Sequence, residues 1–359
     1  MLSQFSRRTA LGSLLGGTLG WSVVSSAQNT TTQTTPTMSA ESIATNESTA
    51  NSTDTANPAD TENTLYAADV ETDVKNATTE PFMYAFNTAT ILGQQLPLPE
   101  EIEIVRRAGY GGIEPWCRKI HEYVEHGGTL TDIRKQLEDA RLSVVGAIAF
   151  GDWCNDDAER RRKGLEEVRR DMEAVAAIGG TAIAAPPGGL YNVEKADLYA
   201  VAERFGKVCE IGREIGVRPR LELWGGSKTL SRLGEVAFVL AECGDPLAEC
   251  CLDAYHTYKG GSDFAGMTIF NGRAIGGYHL NDYPADPPRE KIGDGDRVMP
   301  GDGVAPLGQI LRILYEIGYR GALSLEIFSQ EYFQKDAYAV AMEGLAKMKF
   351  AVQQAFTAE

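Results

Sequence analysis

Between Pro81 and Phe356 the chain changes hydrophobic period again and again. A stretch with apolar residues every three or four positions leads to a Gly turn and then to a short, nearly unbroken apolar run. The first spacing is that of one helix face, and the second that of a strand buried on both sides. The phrase occurs at Arg107-Ala108-Gly109-Tyr110-Gly111-Gly112-Ile113-Glu114, at Ile178-Gly179-Gly180-Thr181-Ala182-Ile183, at Ile215-Gly216-Val217 leading to Leu221-Glu222-Leu223-Trp224, and at Ile317-Gly318-Tyr319-Arg320-Gly321-Ala322-Leu323-Ser324-Leu325-Glu326. Gly just past a helix supplies the left-handed closing residue, so each phrase marks a helix-to-strand join. The pattern predicts strands near 82–88, 111–116, 142–150, 181–186, 219–224, 249–255, 275–281 and 322–328. Helices fall between them, as with Leu307, Ile310, Leu311, Leu314 and Ile317 behind Pro306. Eight βα units in about 275 residues predict an α/β fold, the (β/α)8 TIM barrel. A doubly wound sheet is the alternative, but the first βα turn lacks the Gly-x-Gly-x-x-Gly of a dinucleotide crevice.

The first 80 residues break this pattern. Ser6-Arg7-Arg8-Thr9-Ala10-Leu11 precedes an apolar, Gly-rich run to Val24 and then Ser25-Ser26-Ala27. That order predicts a twin-arginine export signal over 1–27, cleaved after Ala27, with the protein exported to the periplasm or beyond. The run is too short for a membrane span, so no stable membrane anchor is expected. Residues 28–80 are rich in Thr, Ser, Asn and Ala, with nine acids against Lys75 alone. Such a segment cannot bury enough apolar surface to offset its ordering entropy, and it reads as a disordered acidic linker to a barrel at 81–357.

Charge narrows the partners. Lys and Arg number 34 against 50 Asp and Glu, a net charge of -16, which repels a phosphate backbone and argues against nucleic acid. The six cysteines include no Cys-x-x-Cys pair, so neither a zinc cluster nor a disulfide framework is implied, and Cys250 and Cys251 read as small buried hydrophobes.

In such a barrel the working side chains stand at the C-terminal ends of strands. The last four predicted strands end in Glu222, in Asp253, in His279 and in Glu326, each among apolar neighbours. Any one of these could be a salt-bridge partner. Four together, without a cation, would carry a large cost in desolvation and repulsion. Three carboxylates and one imidazole suit Mn2+ or Mg2+ by hardness, with Co2+ or Zn2+ also compatible. His256, one short step beyond Asp253, is placed to bind a substrate oxygen. His121 and His126 read as solvated loop residues, and Glu114 and Trp116, at the end of the second strand, as a hydrogen-bonding group and a stacking face for a ligand or, equally, as core or rim residues.

The set Glu222, Leu-Asp253-x-x-His256, His279-Leu-Asn-Asp282 and Leu-Glu326, with Pro300-Gly301-Asp302-Gly303 ahead of a helix, resembles the xylose isomerase-like TIM barrels, the sugar-phosphate isomerases and epimerases. The resemblance covers about 81–355. It implies one divalent ion held by Glu222, Asp253, His279 and Glu326, proton exchange with substrate by Glu222 and Glu326, and substrate contact by His256. The ketose 3-epimerases of that family carry an acid and an Arg where this chain has Lys228 and Ala285. Arg289 is assigned as the substitute for that Arg, with Arg297 the alternative. The expected activity is isomerisation or epimerisation of a sugar or keto-polyol through an enediolate. A dehydratase of the inosose or dehydroshikimate type is the close rival. A phosphodiesterase related to DNA-repair endonucleases lacks its histidines and basic groove here, and a noncatalytic sugar-binding barrel is disfavoured by the intact Glu222 and Glu326. A homo-oligomer is compatible with all of these.

Overall fold

The computed structural model describes residues 80–357. The export signal, and the linker up to residue 79, lie outside the described residues. Each predicted strand holds an observed one or overlaps it: β1 Met83–Asn87, β2 Gly112–Glu114, β3 Ser143–Val144, β4 Ala182–Ala185, β5 Arg218–Glu222, β6 Glu249–Asp253, β7 Ile275–Leu280 and β8 Ala322–Leu325. The sheet runs β3-β2-β1-β8-β7-β6-β5-β4, with every pair parallel.

The third strand is much shorter than the expected 142–150. Its chain pairs with β2 for two residues, leaves the ladder, and returns at Ile148, which bridges Trp116 on one side and Ala184 on the other. Ala184 donates its N–H to the Ala147 carbonyl at 2.7 Å, and Ala149 donates to Ala184 at 3.3 Å. These bonds curl the sheet toward closure between β3 and β4.

Helices α1 Leu98–Ala108, α2 Cys117–Glu125, α3 Leu130–Ala140, α4 Ala158–Ala177, α5 Leu198–Ile215 and α6 Leu233–Cys243 lie between strands. So do the short α7 Ala254–Gly260 and then α8 Leu307–Glu316. The chain ends in α9 Gln330–Phe333 and α10 Ala337–Thr357. Gly109 and Gly216 close α1 and α5 at φ 91 and 86, as the Gly turns predict. Among the described residues no helix is long and apolar enough to cross a membrane.

The main core lies between sheet and helices, where Val105, Ile113, Val175, Ile183, Val208, Leu221, Val236, Leu252, Ile310 and Leu323 are buried. Each such side chain contributes about 1.5–3 kcal/mol on burial. The barrel interior is different. Its apolar cluster is small, made of Ile148, Ala184 and Cys251, and buried polar groups fill much of the remainder. That polar interior leads up to the C-terminal rim.

Candidate active site

His279 is the hub of the rim. On the sheet it is flanked in register by Asp253 of β6 and Ser324 of β8, so its ring points into the barrel. Its Nδ1 lies 3.2 Å from Glu326 Oε2, 3.7 Å from Glu222 Oε1 and 3.8 Å from Asp253 Oδ2, yet it forms no hydrogen bond. Its Nε2 stands 3.0 Å from Glu114 Oε2. All five residues are buried.

One donor atom from each of Glu222, His279 and Glu326 falls within 4.8 Å of the others. Asp253 stands slightly apart. As the cap of α7 it accepts the His256 backbone N–H at 2.7 Å, and its other oxygen accepts from Asn281 at 2.9 Å and Arg297 at 3.2 Å. The donor set fits a divalent cation on two counts. His279 Nδ1 and Glu222 Oε2 are buried without hydrogen-bond partners, and the clustered carboxylates require positive charge. Burial, opposed by His279 but joined by the charges of Glu326 and Asp253, pushes the Glu222 carboxyl up to about 8. Burial also resists ionisation of Glu326, but His279 and Arg297 outweigh it and hold that carboxyl down at about 2.

Glu114 has a different place from the one expected. It lies behind His279 and does not line the cavity; besides the imidazole it accepts Ser324 Oγ at 2.7 Å and Asn87 Nδ2 at 3.2 Å. Burial opposes its charge, but His279 and the Ser324 hydroxyl keep its carboxyl below the ordinary range. An ionised Glu114 can only accept, so His279 Nε2 donates. This is the carboxylate–histidine arrangement that fixes the imidazole behind a metal ligand.

Arg289 is also misplaced by the sequence reading. It is exposed on the rim, 3.6 Å from Glu290. Arg297 takes the inner position, almost wholly buried, with Nη1 2.9 Å from Glu326 Oε2 and Nη2 beside Asp294 and 3.0 Å from His256 Nε2. The segment after β7 delivers it. Asp282 and Val298 exchange backbone hydrogen bonds at 3.0 and 2.9 Å. The Asp282 carboxylate then accepts the N–H groups of Tyr283, Gly301, Gly303 and Ala305. A Cβ on Gly303 would stand 2.3 Å from Asp282 Oδ1, which is why Gly is needed in the Pro300–Gly303 turn.

The cavity above these groups measures 220 Å³ and is lined by Trp116, Ile148, Phe150, Glu222, Trp224, His256, Asp294, Arg297, Glu326 and Phe328. Its walls are aromatic, with Trp116 and Phe150 rings 4.9 Å apart, Trp116 and Phe328 5.9 Å, and Phe150 and Trp224 6.4 Å. Trp224 stacks between Tyr191 and His256. His256 accepts the Gly225 N–H at its Nδ1 and turns Nε2 toward the cavity and Arg297. His121 and His126 are remote from the site: the first lies in α2, not in a loop, 2.6 Å from Asp171 of α4, whereas the second is an exposed turn residue just past the end of that helix, as expected.

The family model described as xylose isomerase-like TIM barrel matches residues 102–349. The chain belongs to the xylose isomerase-like TIM barrel family. Among relatives of this barrel, an inosose isomerase of Halalkalibacterium halodurans is 28% identical over 259 residues, covering 70% of this chain and 90% of its own. A 3-dehydroshikimate dehydratase of Pseudomonas aeruginosa is 25% identical over 262 residues, and the match spans 70% of this chain but 39% of that longer enzyme. Among solved structures, the IOLI protein, crystallised with a zinc atom, superposes with a TM-score of 0.72 at 23% identity over 77% of this chain and 100% of its own. Curated relatives of this family member thus include isomerases, epimerases and dehydratases.

Several residues of the site escaped the sequence reading. Asn87, at the end of β1, donates to Glu326 Oε1 at 3.0 Å and accepts Trp116 Nε1 at 3.2 Å. The strand-end rule, applied to the first strand as to the last four, points to it. Asn281 donates to Asp253 and to the Glu326 carbonyl, and it lay inside a motif already singled out. Phe150 and Phe328 carry no signal of their own, since an aromatic after a strand is more often core.

Proposed function

We propose that this protein is a divalent-metal-dependent isomerase or epimerase of a neutral sugar or keto-polyol, acting by proton transfer beside a carbonyl. The observation that carries this reading is the convergence of Glu222 and Glu326 on an unpartnered His279 Nδ1 at the floor of an aromatic cavity. Glu222, His279 and Glu326, joined by Asp253, would hold one cation, which when bound polarises a carbonyl and acidifies the adjacent C–H. Oxygen-rich donors favour Mn2+ or Mg2+; the zinc of the IOLI protein makes Zn2+ the alternative.

Glu222 lines the cavity with an oxygen free of hydrogen bonds, and once a bound cation offsets the burial and the neighbouring charges that raise its carboxyl it would be ionised and take the proton. Glu326, held by Asn87 and Arg297, stays ionised and is the second proton-exchanging group, on the opposite side of the substrate carbon. His256 and Arg297 orient substrate oxygens. Return of the proton to the neighbouring carbon gives isomerisation, and return to the opposite face gives epimerisation. Loss of an adjacent hydroxyl instead would give dehydration.

The walls support a neutral substrate. Among the lining residues Arg297 is the one cation, and it is engaged by Asp253, Asp294 and Glu326, which leaves no free side-chain cation for a phosphate or carboxylate. Aromatic rings instead suit the C–H face of a small cyclic polyol. The likeness to inosose isomerases supports the same class and disfavours the dehydroshikimate reaction, whose substrate carries a carboxylate. The test is to load the protein with Mn2+, Mg2+ or Zn2+ and follow inososes, ketoses and dehydroshikimate by mass spectrometry and NMR. An isomer of unchanged mass supports the reading, and a product lighter by one water replaces it with the dehydratase.

Residues 1–27 and 28–80 extend the proposal to an exported, tethered barrel beginning near Pro81. Replacing Arg7 and Arg8 by Lys should hold the unprocessed precursor inside the cell, and normal export of that variant would refute the route.

A further inference from the structure

Helices α5 and α6 flank β5, the strand that ends in Glu222. One stripe of α5, formed by Gly206, Cys209 and Arg213, runs along the end of α6, because positions three and seven apart share a helix face. Cys243 closes α6 on that stripe. Its Sγ lies 3.9 Å from where a Cβ on Gly206 would stand, so the missing side chain at 206 leaves the space that the sulfur occupies. Just beyond, Arg213 Nη2 pairs with Asp245 Oδ2 across the same two helices. Between these two contacts Cys209 stands on the same stripe, one turn from Gly206, so it faces Cys243, and each thiol perturbs the other's ionisation. Both are free thiols, Cys209 buried and Cys243 partly exposed. The other four cysteines are buried, and none shares such a contact with another thiol in the described structure.

We propose that Cys209 and Cys243 are a thiol pair that closes into a disulfide, clamping α5 to α6 around β5 under oxidising conditions. The chemistry is thiol–disulfide exchange with a low-molecular-weight disulfide such as glutathione disulfide. Cys243, the accessible member, attacks as its thiolate, forms a mixed disulfide and expels one glutathione thiolate. Cys209 then gives its proton to solvent and attacks the Cys243 sulfur, expelling the second glutathione. Two protein thiols are oxidised, and one glutathione disulfide is reduced to two thiols. The hydrogen bond from Cys209 outweighs partial burial and holds the Cys243 thiol down at about 7, which assists the first attack. Cys250 and Cys251 are adjacent in sequence, but burial pushes both thiols up, and Cys251 faces His279.

The test treats the full-length protein with glutathione disulfide or with a phosphine reductant, then counts thiols after denaturation. The reduced chain has six. The oxidised chain should have four, with no glutathione adduct, and peptide mapping after cleavage at Glu242 and Glu249 should join Cys209 to Cys243. Cys243→Ser should retain five free thiols under oxidation, whereas Cys209→Ser should stop at a glutathione adduct on Cys243 with four free thiols, and neither should form an intramolecular bond. The wild-type melting temperature should rise by roughly 5–10 °C on oxidation, because the cross-link constrains the unfolded chain. Six thiols remaining in the oxidised wild type, a persistent glutathione adduct on it, or a bond through any other pair would overturn the proposal.

Discussion

His279 Nε2 donates to Glu114 Oε2 at 3.0 Å, and this bond decides which face of the ring meets the three carboxylates. With Nε2 committed, Nδ1 is the atom that faces Glu222, Asp253 and Glu326. Glu114 is thus a positioning residue and not a substrate contact. Replacing it by Gln should lower divalent-metal affinity by about 10–100-fold, the usual effect of losing such a partner. Competition against a chromophoric chelator measures this directly. Unchanged affinity would mean that the ring is held by other contacts.

The two candidate arginines separate cleanly. Arg289→Ala removes an exposed side chain, and KM and kcat should both stay within about twofold. Arg297→Met leaves Asp253, Glu326 and Asp294 without their cation and should cost at least about 100-fold in kcat/KM. Steady-state kinetics with the best substrate found above decide the matter. Equal effects of the two variants would contradict the placement of Arg297.

Asp282 and Gly303 hold the segment that carries Arg297. Gly303→Ala forces a Cβ against Asp282 Oδ1 and should destabilise the domain by about 1–3 kcal/mol, together with a rise in KM. Thermal denaturation and KM measured on the same preparation test both. A stable variant with native KM would show that the turn is free to move aside.

Much of this was legible in the sequence, and the reason is geometric. Strand ends in a barrel converge, so Glu222, His279 and Glu326 could be found from position along a repeat, without any distance. Arg297 could not, because nothing in a Gly- and Asp-rich stretch tells which of two arginines turns inward; the Asp282–Val298 pairing decides it. Glu114 was found at the right strand end and given the wrong role, since the same position can face the cavity or stand behind a ligand. The third strand was overextended for a similar reason. Its apolar run continues through Val144, Ala147 and Ile148, but the backbone leaves the ladder between them.

A buried ion pair outside the site gives a pH test. Glu101 of α1 lies 3.1 Å from Lys119 of α2, and both are buried. Burial outweighs the attraction of Lys119 and pushes the Glu101 carboxyl up to about 7. A carboxyl raised in the folded state stabilises the fold fully below the ordinary carboxylate pKa, and that stability is lost as pH rises toward 7. Between pH 4.5 and 7 the metal-loaded protein should lose roughly 2–3 kcal/mol from this group. Glu101→Gln should flatten that part of the curve. Urea denaturation across the range measures it, and an identical slope in the variant would assign the effect elsewhere.

The central claim is that Glu222 removes a proton from a carbon beside a substrate carbonyl when a divalent ion is bound. The most direct measurement is deuterium uptake into a keto-polyol in D2O, read by mass spectrometry, for wild type, metal-stripped protein and Glu222→Gln. The account predicts uptake of one deuterium by the metal-loaded wild type, its loss on chelation, and a rate at least about 100-fold lower in the variant. Uptake at the wild-type rate by Glu222→Gln, or by the metal-stripped protein, would contradict it.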